Sequence, residues 1–393
     1  MTKLKILVIG SGGREHAIAW RLALEGHQIF CSPGNPGTAQ VATNLEIEAD
    51  LTVVGPEAPL VAGVVDQFRA RGLAIVGPTQ EAAQLEASKI HSKEFMRRLG
   101  IPTARFARTE TQTEGLTALA HFEYPIVVKS DGLAAGKGVI IAQNRAEAEA
   151  AVISLGPRLV IEEFLEGEEV SFIVLSDGRN VVPLEATQDH KAIGDGDTGP
   201  NTGGMGAYCD GRILSASDTG KILDTVIEPA VRATGFTGFL YAGMMMTSAG
   251  PKVLEFNVRL GDPETQALMH RIDDDFAGTL ALAAAGNLKS ATLKWKKDPS
   301  VCVVMAASGY PGQVRTGDPI TIGETSAQVF HAGTNLGDRG LKTSGGRVLG
   351  VTASGSDLAS AIRNAYDGVA KIHFDGMQYR RDIGEKGLKR WYN

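Results

Sequence analysis

Hydrophobic and polar positions change period along this chain, and the changes mark its elements. Residues 5–9 form a continuous apolar run, as expected of a strand buried on both faces. A glycine-rich turn follows, then a helical stretch carrying Ala17, Ala19, Trp20 and Leu22. Short apolar runs at 28–31, 50–54 and 73–76 repeat the strand pattern, and each ends in glycine or proline. Residues 88–99 read as a helix, with Ser88 as N-cap and Gly100 and Pro102 as stop signals. Strands are predicted at 125–128, 159–164, 170–175 and 239–246, and helices at 218–233 and 265–285. Residues 253–258 alternate, with Val253, Glu255 and Asn257 on one side and Leu254, Phe256 and Val258 on the other. A charged segment at 294–299 ends in proline, and beyond it lie short strands at 301–307, 327–332 and 348–353 and a helix at 357–371. The pattern predicts an α/β chain, α+β overall. It divides into an N-terminal parallel-sheet domain (1–86), a central domain (87–296) and a small β-rich C-terminal domain (297–393).

Composition narrows the class. A chain of 393 residues is too long for one ordinary core. Its 43% hydrophobic and 21% charged residues are those of a globular enzyme. A net charge of −6 without a basic run argues against a nucleic-acid partner. No apolar run approaches a membrane span and no signal peptide is visible, so no membrane partner and a cytoplasmic location are expected. Cys31, Cys209 and Cys302 lie far apart and read as reduced thiols. No HxxxH pair suggests zinc. The 48 glycines cluster, which suggests loops where backbone approaches a ligand.

The candidate chemistry lies in those clusters and in the strand that precedes residues 259–266. Glu255 and Asn257, two apart on one strand face, can offer oxygen atoms to one hard cation. Arg259 adds a fixed positive fork, and Gly261, Asp262, Pro263 and Glu264 make a sharp acidic turn. At the N-terminus, residues 10–16 (GSGGREH) join a strand to a helix start, an arrangement that binds anions. A dinucleotide reading fails because Glu15 stands where the third glycine belongs and the second strand ends without an acid. A single phosphate at Gly12 and Gly13 fits better, with Arg14 as a second contact and Glu57, in GPEAP, nearby. Lys89 and Lys93 lie one turn apart, as on many surface helices. Residues 130–139 form a glycine-rich loop between two strands, with Lys129 at the end of the first. It lacks Walker A spacing, and it can fold as a flap over phosphates. The 187–206 region, with TQDHK and DTGPNTGGMG, is polar and glycine-rich and is expected to be an irregular functional loop.

RLGDPETQ at 259–266 resembles the hallmark octapeptide of the phosphoribosylamine–glycine ligase family, within the ATP-grasp superfamily. The loop at 130–139 with Lys129 resembles that of ATP-grasp proteins, and DTGPNTGGMG at 197–206 and the HAGT and GGRVL pieces at His331 and Gly345 resemble the ligase family, so the likeness spans the chain. It implies an ATP-grasp fold with a flap subdomain at about 104–172. It also implies ATP-dependent ligation of glycine to 5-phosphoribosylamine through glycyl phosphate, a step of purine biosynthesis. ATP and Mg2+ (or Mn2+) are the implied cofactors, with the metal on Glu255 and Asn257. ATP would meet Lys89, Lys129, Gly132, Gly136, Lys137 and Gly138, the backbone around Glu162, Glu163 and Leu165, and an acid at the ribose, Glu168 or Glu169. Arg259, Asp262 and Glu264 would be catalytic. Gly12, Gly13, Arg14, Glu57, Asp189, Asn201, Thr202, Gly203 and Arg347 would bind glycine and phosphoribosylamine. A monomer is expected, with a dimer as the alternative. Segments 38–48, 144–157 and 207–215 are shorter than the family pattern, so the crossover helix after the second strand is expected to be truncated or missing. Gly243 stands where many ATP-grasp enzymes place an acid. An NAD oxidoreductase and a catalytically silent nucleotide-binding protein are the competing readings. The failed dinucleotide motif speaks against the first, and retained Lys129, Glu255, Asn257 and Arg259 against the second.

Overall fold

The structure is a computed structural model that describes residues 3–133, 138–338 and 340–392. At the N-terminus, five parallel strands lie in the order Thr43–Asn44, Gln28–Pro33, Lys5–Gly10, Leu51–Val54, Ile75–Val76. The helix Gly13–Leu24 buries Ala17, Ile18, Ala19 and Leu22 against Ile6, Val8, Ile29 and Cys31. The crossover from the second strand carries only a 3-10 turn, Thr38–Gln40, and the two-residue edge strand. Val41 and Ala42 supply apolar cover, while Leu45 is left exposed. Polar contacts hold this short path. The fully buried Thr38 hydroxyl accepts from the Asn35 amide at 2.7 Å and lies 2.7 Å from Asn44 Oδ1.

Residues 106–163 build a separate antiparallel sheet, ordered Phe106–Thr109, Leu159–Glu163, Ile126–Ser130, Val139–Ala142. The helix Arg145–Leu155 closes its core of Ile126, Val128, Ala142, Val152, Leu159 and Ile161. A nine-stranded sheet, with Val181–Pro183 paired to Glu168–Asp177 off its main path, forms the largest layer. Its path runs from Gly250–Asn257 through Thr237–Thr247, Glu168–Asp177, Thr187–Asp189 and Gly206–Cys209 to Ser300–Ala306, Arg347–Ser354 and Gln328–His331. Gly206–Cys209 pairs directly with Ser300–Ala306, so the sheet continues across the charged segment at 294–299.

Three local expectations are corrected. The helix expected over 265–285 is two helices, Glu264–Arg271 and Phe276–Ala284. Asp275 breaks the run because its side chain accepts from the Gly278 amide and caps a new helix. The 187–206 region holds the strand Thr187–Asp189 and a hairpin, Ala192–Gly194 with Thr198–Asn201, rather than an irregular loop. Alternation over 253–258 is broken by a bulge: Gly243 pairs with Glu255 and Met244 with Val253, leaving Leu254 unpaired. Val253 therefore joins Phe256 and Val258 in one core, while Leu254, Glu255 and Asn257 all line the cavity described below.

Thr38→Val should lower stability by about 1–3 kcal/mol, because it leaves the buried Asn35 amide without its acceptor. Thermal unfolding checks this, and an unchanged midpoint would show that the crossover does not depend on the hydroxyl.

Candidate active site

A cavity of about 570 Å3 lies where the small antiparallel sheet, one edge of the large sheet and the N-terminal loops meet. The helix Lys89–Leu99 forms one wall, started by Ser88, whose hydroxyl accepts from the His91 amide. Lys89 Nζ donates to the Gly132 carbonyl at 2.7 Å. Lys93, which the helix pattern places on an ordinary surface, is 2% exposed and points inward. Its Nζ lies 3.1 Å from Glu162 Oε1 and donates to Thr103 Oγ1 at 2.6 Å. Lys129 Nζ lies 3.1 Å from the same Glu162 oxygen and donates to the Leu254 carbonyl at 3.1 Å. Burial lowers the Lys93 ammonium to about 8 even though Glu162 opposes the shift. Leu133, Ile141, Phe164, Leu165 and Met245 give this end of the cavity apolar walls.

The strand Gly250–Asn257 supplies the opposite wall. Burial alone would raise the Glu255 carboxyl, but Lys191, Lys129, Lys89 and Arg259 more than offset it and hold it below the usual carboxylate range. Arg259 Nη2 donates to Asn257 Oδ1 at 3.2 Å and to Glu86 Oε1 at 2.8 Å. Glu86 Oε2 accepts from the Val258 amide, so one carboxylate fixes both the arginine and its strand. Burial disfavours the Arg259 charge, and Glu86 and Glu57 reverse that effect and keep the guanidinium protonated. Gly243 pairs with Glu255, so its place in the sheet brings no second carboxylate. Glu255 and Asn257 present hard oxygen donors beside one another, and Glu255 is ionised. This donor set suits a hard divalent cation such as magnesium or manganese.

Acids gather at the far end. Asp189, Glu169, Glu264 and Lys191 line it together with Tyr241. Burial, then Glu264, Glu169 and Glu255, push the Asp189 carboxyl up to about 7, although Lys191 opposes them. Burial works against the Lys191 charge, and Glu169 and Asp189 more than restore it. Glu264 Oε1 accepts from Ser171 Oγ at 3.2 Å, and Ser171 also meets the Tyr241 hydroxyl at 2.8 Å. Asp262 sits between Arg347 Nη2 at 3.0 Å and Gln266 Nε2 at 2.8 Å. Arg347 Nη1 donates to the carbonyls of Gly203 and Asp262, which joins two loops. Tyr310 completes the rim, and its hydroxyl accepts from the Gly203 amide at 3.0 Å.

The cavity brings together Lys89, Lys129, Gly132, Gly138, Glu162, Glu163, Leu165, Glu255, Asn257, Arg259, Asp262 and Glu264. It also gathers Arg14, Glu57, Asp189, Asn201, Thr202, Gly203 and Arg347. Gly136 and Lys137 lie outside the described residues. Glu168 does not line it. Its carboxylate accepts from Gln188 and pairs with Arg390, and Glu169 faces the cavity instead. The phosphate turn at Gly12 and Gly13 is corrected as well. The Gly12 amide donates to Glu15 Oε2 at 2.6 Å, so the chain's own carboxylate occupies the helix N-terminus. A Cβ at Gly10 or Gly55 would collide with that side chain. Neither Gly12 nor Gly13 lines the cavity, whereas Arg14 does. Glu169, the other acid the sequence offered for the ribose, lines the cavity; Glu86, Lys93, Lys191, Tyr241 and Tyr310 are cavity residues that sequence reasoning did not select. The Lys89–Lys93 spacing carried the only usable signal among them, and a buried pair shares it with a solvated one.

Family models for phosphoribosylglycinamide synthetase match the chain in three consecutive parts: the N domain at 4–86, the ATP-grasp (A) domain at 87–265 and the C domain at 300–386. Phosphoribosylamine–glycine ligase of Pseudomonas aeruginosa is 48% identical over 425 residues, covering 98% of this chain and 99% of that protein. The chain belongs to the phosphoribosylamine–glycine ligase family. It is an ATP-grasp ligase of purine biosynthesis. The ligase of that name from Escherichia coli K12 is 47% identical, over 99% of this chain and 100% of that protein. Both aligned lengths exceed this chain's 393 residues, so these ligases carry residues that it lacks. The crystal structure of the Thermotoga maritima ligase superposes with a TM-score of 0.85 at 36% identity, over 96% of this chain and 100% of that one. A Hydrogenobacter thermophilus biotin carboxylase domain shares the fold at 16% identity and a TM-score of 0.73, over 96% of this chain and 92% of its own. Among the described residues, no helix is long and apolar enough to cross a membrane.

Asp189→Asn should reveal the cost of the acid cluster in the ligand-free chain. A raised carboxyl costs stability above its folded pKa of about 7 and nothing below its ordinary 3.8. The variant should therefore be more stable at pH 8 by about 1–2 kcal/mol, and unchanged near pH 3.5. That is below the roughly 1.4 kcal/mol per pKa unit of a sealed site, because solvent enters the cavity. Unfolding at the two pH values checks both magnitude and sign; equal effects at both would refute the account.

Proposed function

We propose that this ligase joins glycine to 5-phosphoribosylamine through glycyl phosphate, using the two ends of the cavity for the two half-reactions. The observation that carries the reading is the split of charge. Lys89, Lys129 and Arg259 hold the Glu255 carboxyl ionised beside Asn257, whereas burial, Glu264 and Glu169 raise the carboxyl of Asp189. Triphosphate fits the first end and an ammonium group the second. The adenine would lie between Ile141, Phe164, Leu165 and Met245, with Glu163 toward the rim. Magnesium or manganese, when bound by Glu255 and Asn257, would neutralise charge on the phosphates.

Glycine's ammonium would sit against Asp189 and Glu264, which aims its carboxylate at Arg259 and the terminal phosphate. A carboxylate oxygen attacks the γ-phosphorus and ADP leaves. Transfer of this kind is catalysed mainly by position and charge, which the fixed Arg259 and the lysines provide. The amine of phosphoribosylamine then attacks the acyl carbon and phosphate departs. The acid cluster of Asp189, Glu169 and Glu264 would take the proton that the amine gives up. Phosphoribosylamine would enter past Arg14, Glu57 and Arg347, with its phosphate on the arginines rather than on the Gly12 amide. Asp262, fixed by Arg347 and Gln266, would orient its amine or ribose. The chain is proposed to work as a cytoplasmic monomer.

Glu255→Gln and Asn257→Ala should each lower turnover by about two orders of magnitude or more while the fold survives. Glycine-dependent phosphate release from ATP, with phosphoribosylamine made in situ, measures it at several magnesium concentrations. Near-normal turnover at low magnesium in either variant would overturn the assignment. Absence of any glycine dependence in the unaltered chain would overturn the function.

A further inference from the structure

Lys191 and Asn201–Gly203 enter the cavity from the two feet of one hairpin, Ala192–Gly194 with Thr198–Asn201. The feet are tied to each other: the Lys191 carbonyl accepts from both the amide and the hydroxyl of Thr202, each at 2.8 Å. The hairpin belongs to neither large sheet, and residues 195–200 are exposed. Its tip is unusual. Asp197 has φ of 58°, the only left-handed non-glycine residue among those described.

One distant segment holds that tip. Arg380 is fully buried and does not line the cavity. Its Nη1 donates to Asp197 Oδ1 at 2.9 Å and to the Ala192 carbonyl at 3.2 Å. Asp382 keeps the guanidinium in place through two bonds, at 2.7 and 2.6 Å, and also accepts from the Gly196 amide at 2.9 Å. The Arg381 amide donates to Asp195 Oδ1 at 2.7 Å, and Lys386 Nζ lies 2.7 Å from Asp197 Oδ2. The segment is itself anchored. The Tyr366 hydroxyl donates to the Arg380 carbonyl at 2.8 Å and accepts from the Ile383 amide at 3.1 Å, and Ile383 is fully buried.

We propose that Arg380, through Asp197 and Asp382, is a positioning residue that sets where Lys191 and Asn201–Gly203 stand in the cavity, and so controls glycine binding. The proposed adenine pocket, Lys89 and Lys129 stand on other elements, and Lys191 acts on the Glu255 carboxyl through its charge, so ATP binding should change less than glycine binding. This rests on the reading above that glycine occupies the Asp189 and Lys191 end.

The test compares Arg380→Met, Arg380→Lys and Asp197→Asn. Asp197 is half-exposed, so its variant keeps the buried arginine and its Asp382 partner if Arg380→Met fails to fold. Without substrates, amide exchange over residues 192–203 should speed up in Arg380→Met and Asp197→Asn, while exchange over 126–130 stays unchanged. In kinetics, both variants should raise KM for glycine about tenfold and leave KM for ATP within about twofold, since small displacements of binding groups cost that much. Arg380→Lys should recover part of the loss. Unchanged exchange in the hairpin would overturn the clamp. Faster exchange with both KM values unchanged would overturn its control of glycine, as would equal rises in the two. If the unaltered chain shows no glycine-dependent turnover, the functional reading fails; the glycine claim falls with it, while the exchange result still judges the clamp.

Discussion

Two lysines share one oxygen of Glu162, and most of the site hangs from that contact. Lys93 comes from the helix Lys89–Leu99, Lys129 from the end of Ile126–Ser130 and Glu162 from the neighbouring strand Leu159–Glu163. Removing Glu162 from this buried set would leave two ammonium groups uncompensated, which is far more costly than the set is stabilising. The lysines also reach out, Lys129 to the Leu254 carbonyl and Lys93 to Thr103, whose hydroxyl donates to the Val253 carbonyl. The small sheet is thereby fixed to the strand that carries Glu255 and Asn257. The bulge at Leu254 turns that strand so that its donors face the same space as the lysines.

The large sheet carries the remaining geometry. Because Gly206–Cys209 pairs with Ser300–Ala306, the C-terminal residues are part of the frame. Arg347 can therefore reach the Gly203 loop and Asp262 from the strand Arg347–Ser354, and Arg380 can hold the hairpin tip. At the N-terminus the same economy appears in the crossover after the second strand, which carries only a 3-10 turn and a two-residue strand. The crossover lacks a helix, yet Thr38, Asn35 and Asn44 close the gap with polar contacts, and Arg14 and Glu57 remain at the strand ends that face the cavity.

What was legible in the sequence was local. A helix cap depends on residues three apart, so Ser88 announced its helix correctly. Strand ends follow from apolar runs meeting glycine, and those ends brought Arg14, Glu57 and Lys129 to one cavity. RLGDPETQ with the preceding strand placed Glu255, Asn257, Arg259, Asp262 and Glu264 together, since few residues separate them. Even here the reading of strict alternation missed the bulge, because a bulge is set by pairing with Gly243 and Met244 and leaves no local period.

The sequence by itself determined the class of chain, most of its elements and the family's central motif, because periodicity, capping and short spacings act between near neighbours. Only the tertiary structure decided how the distant charges are spent. It buried Lys93 on Glu162, gave Arg259 to Glu86, filled the Gly12 turn with Glu15 and turned Glu169 rather than Glu168 to the cavity. Each outcome depends on desolvation and on which partner lies within about 3 Å. A side chain's neighbours in space can come from anywhere along the chain, as Arg380 and Asp197 do, so no window of sequence contains the information.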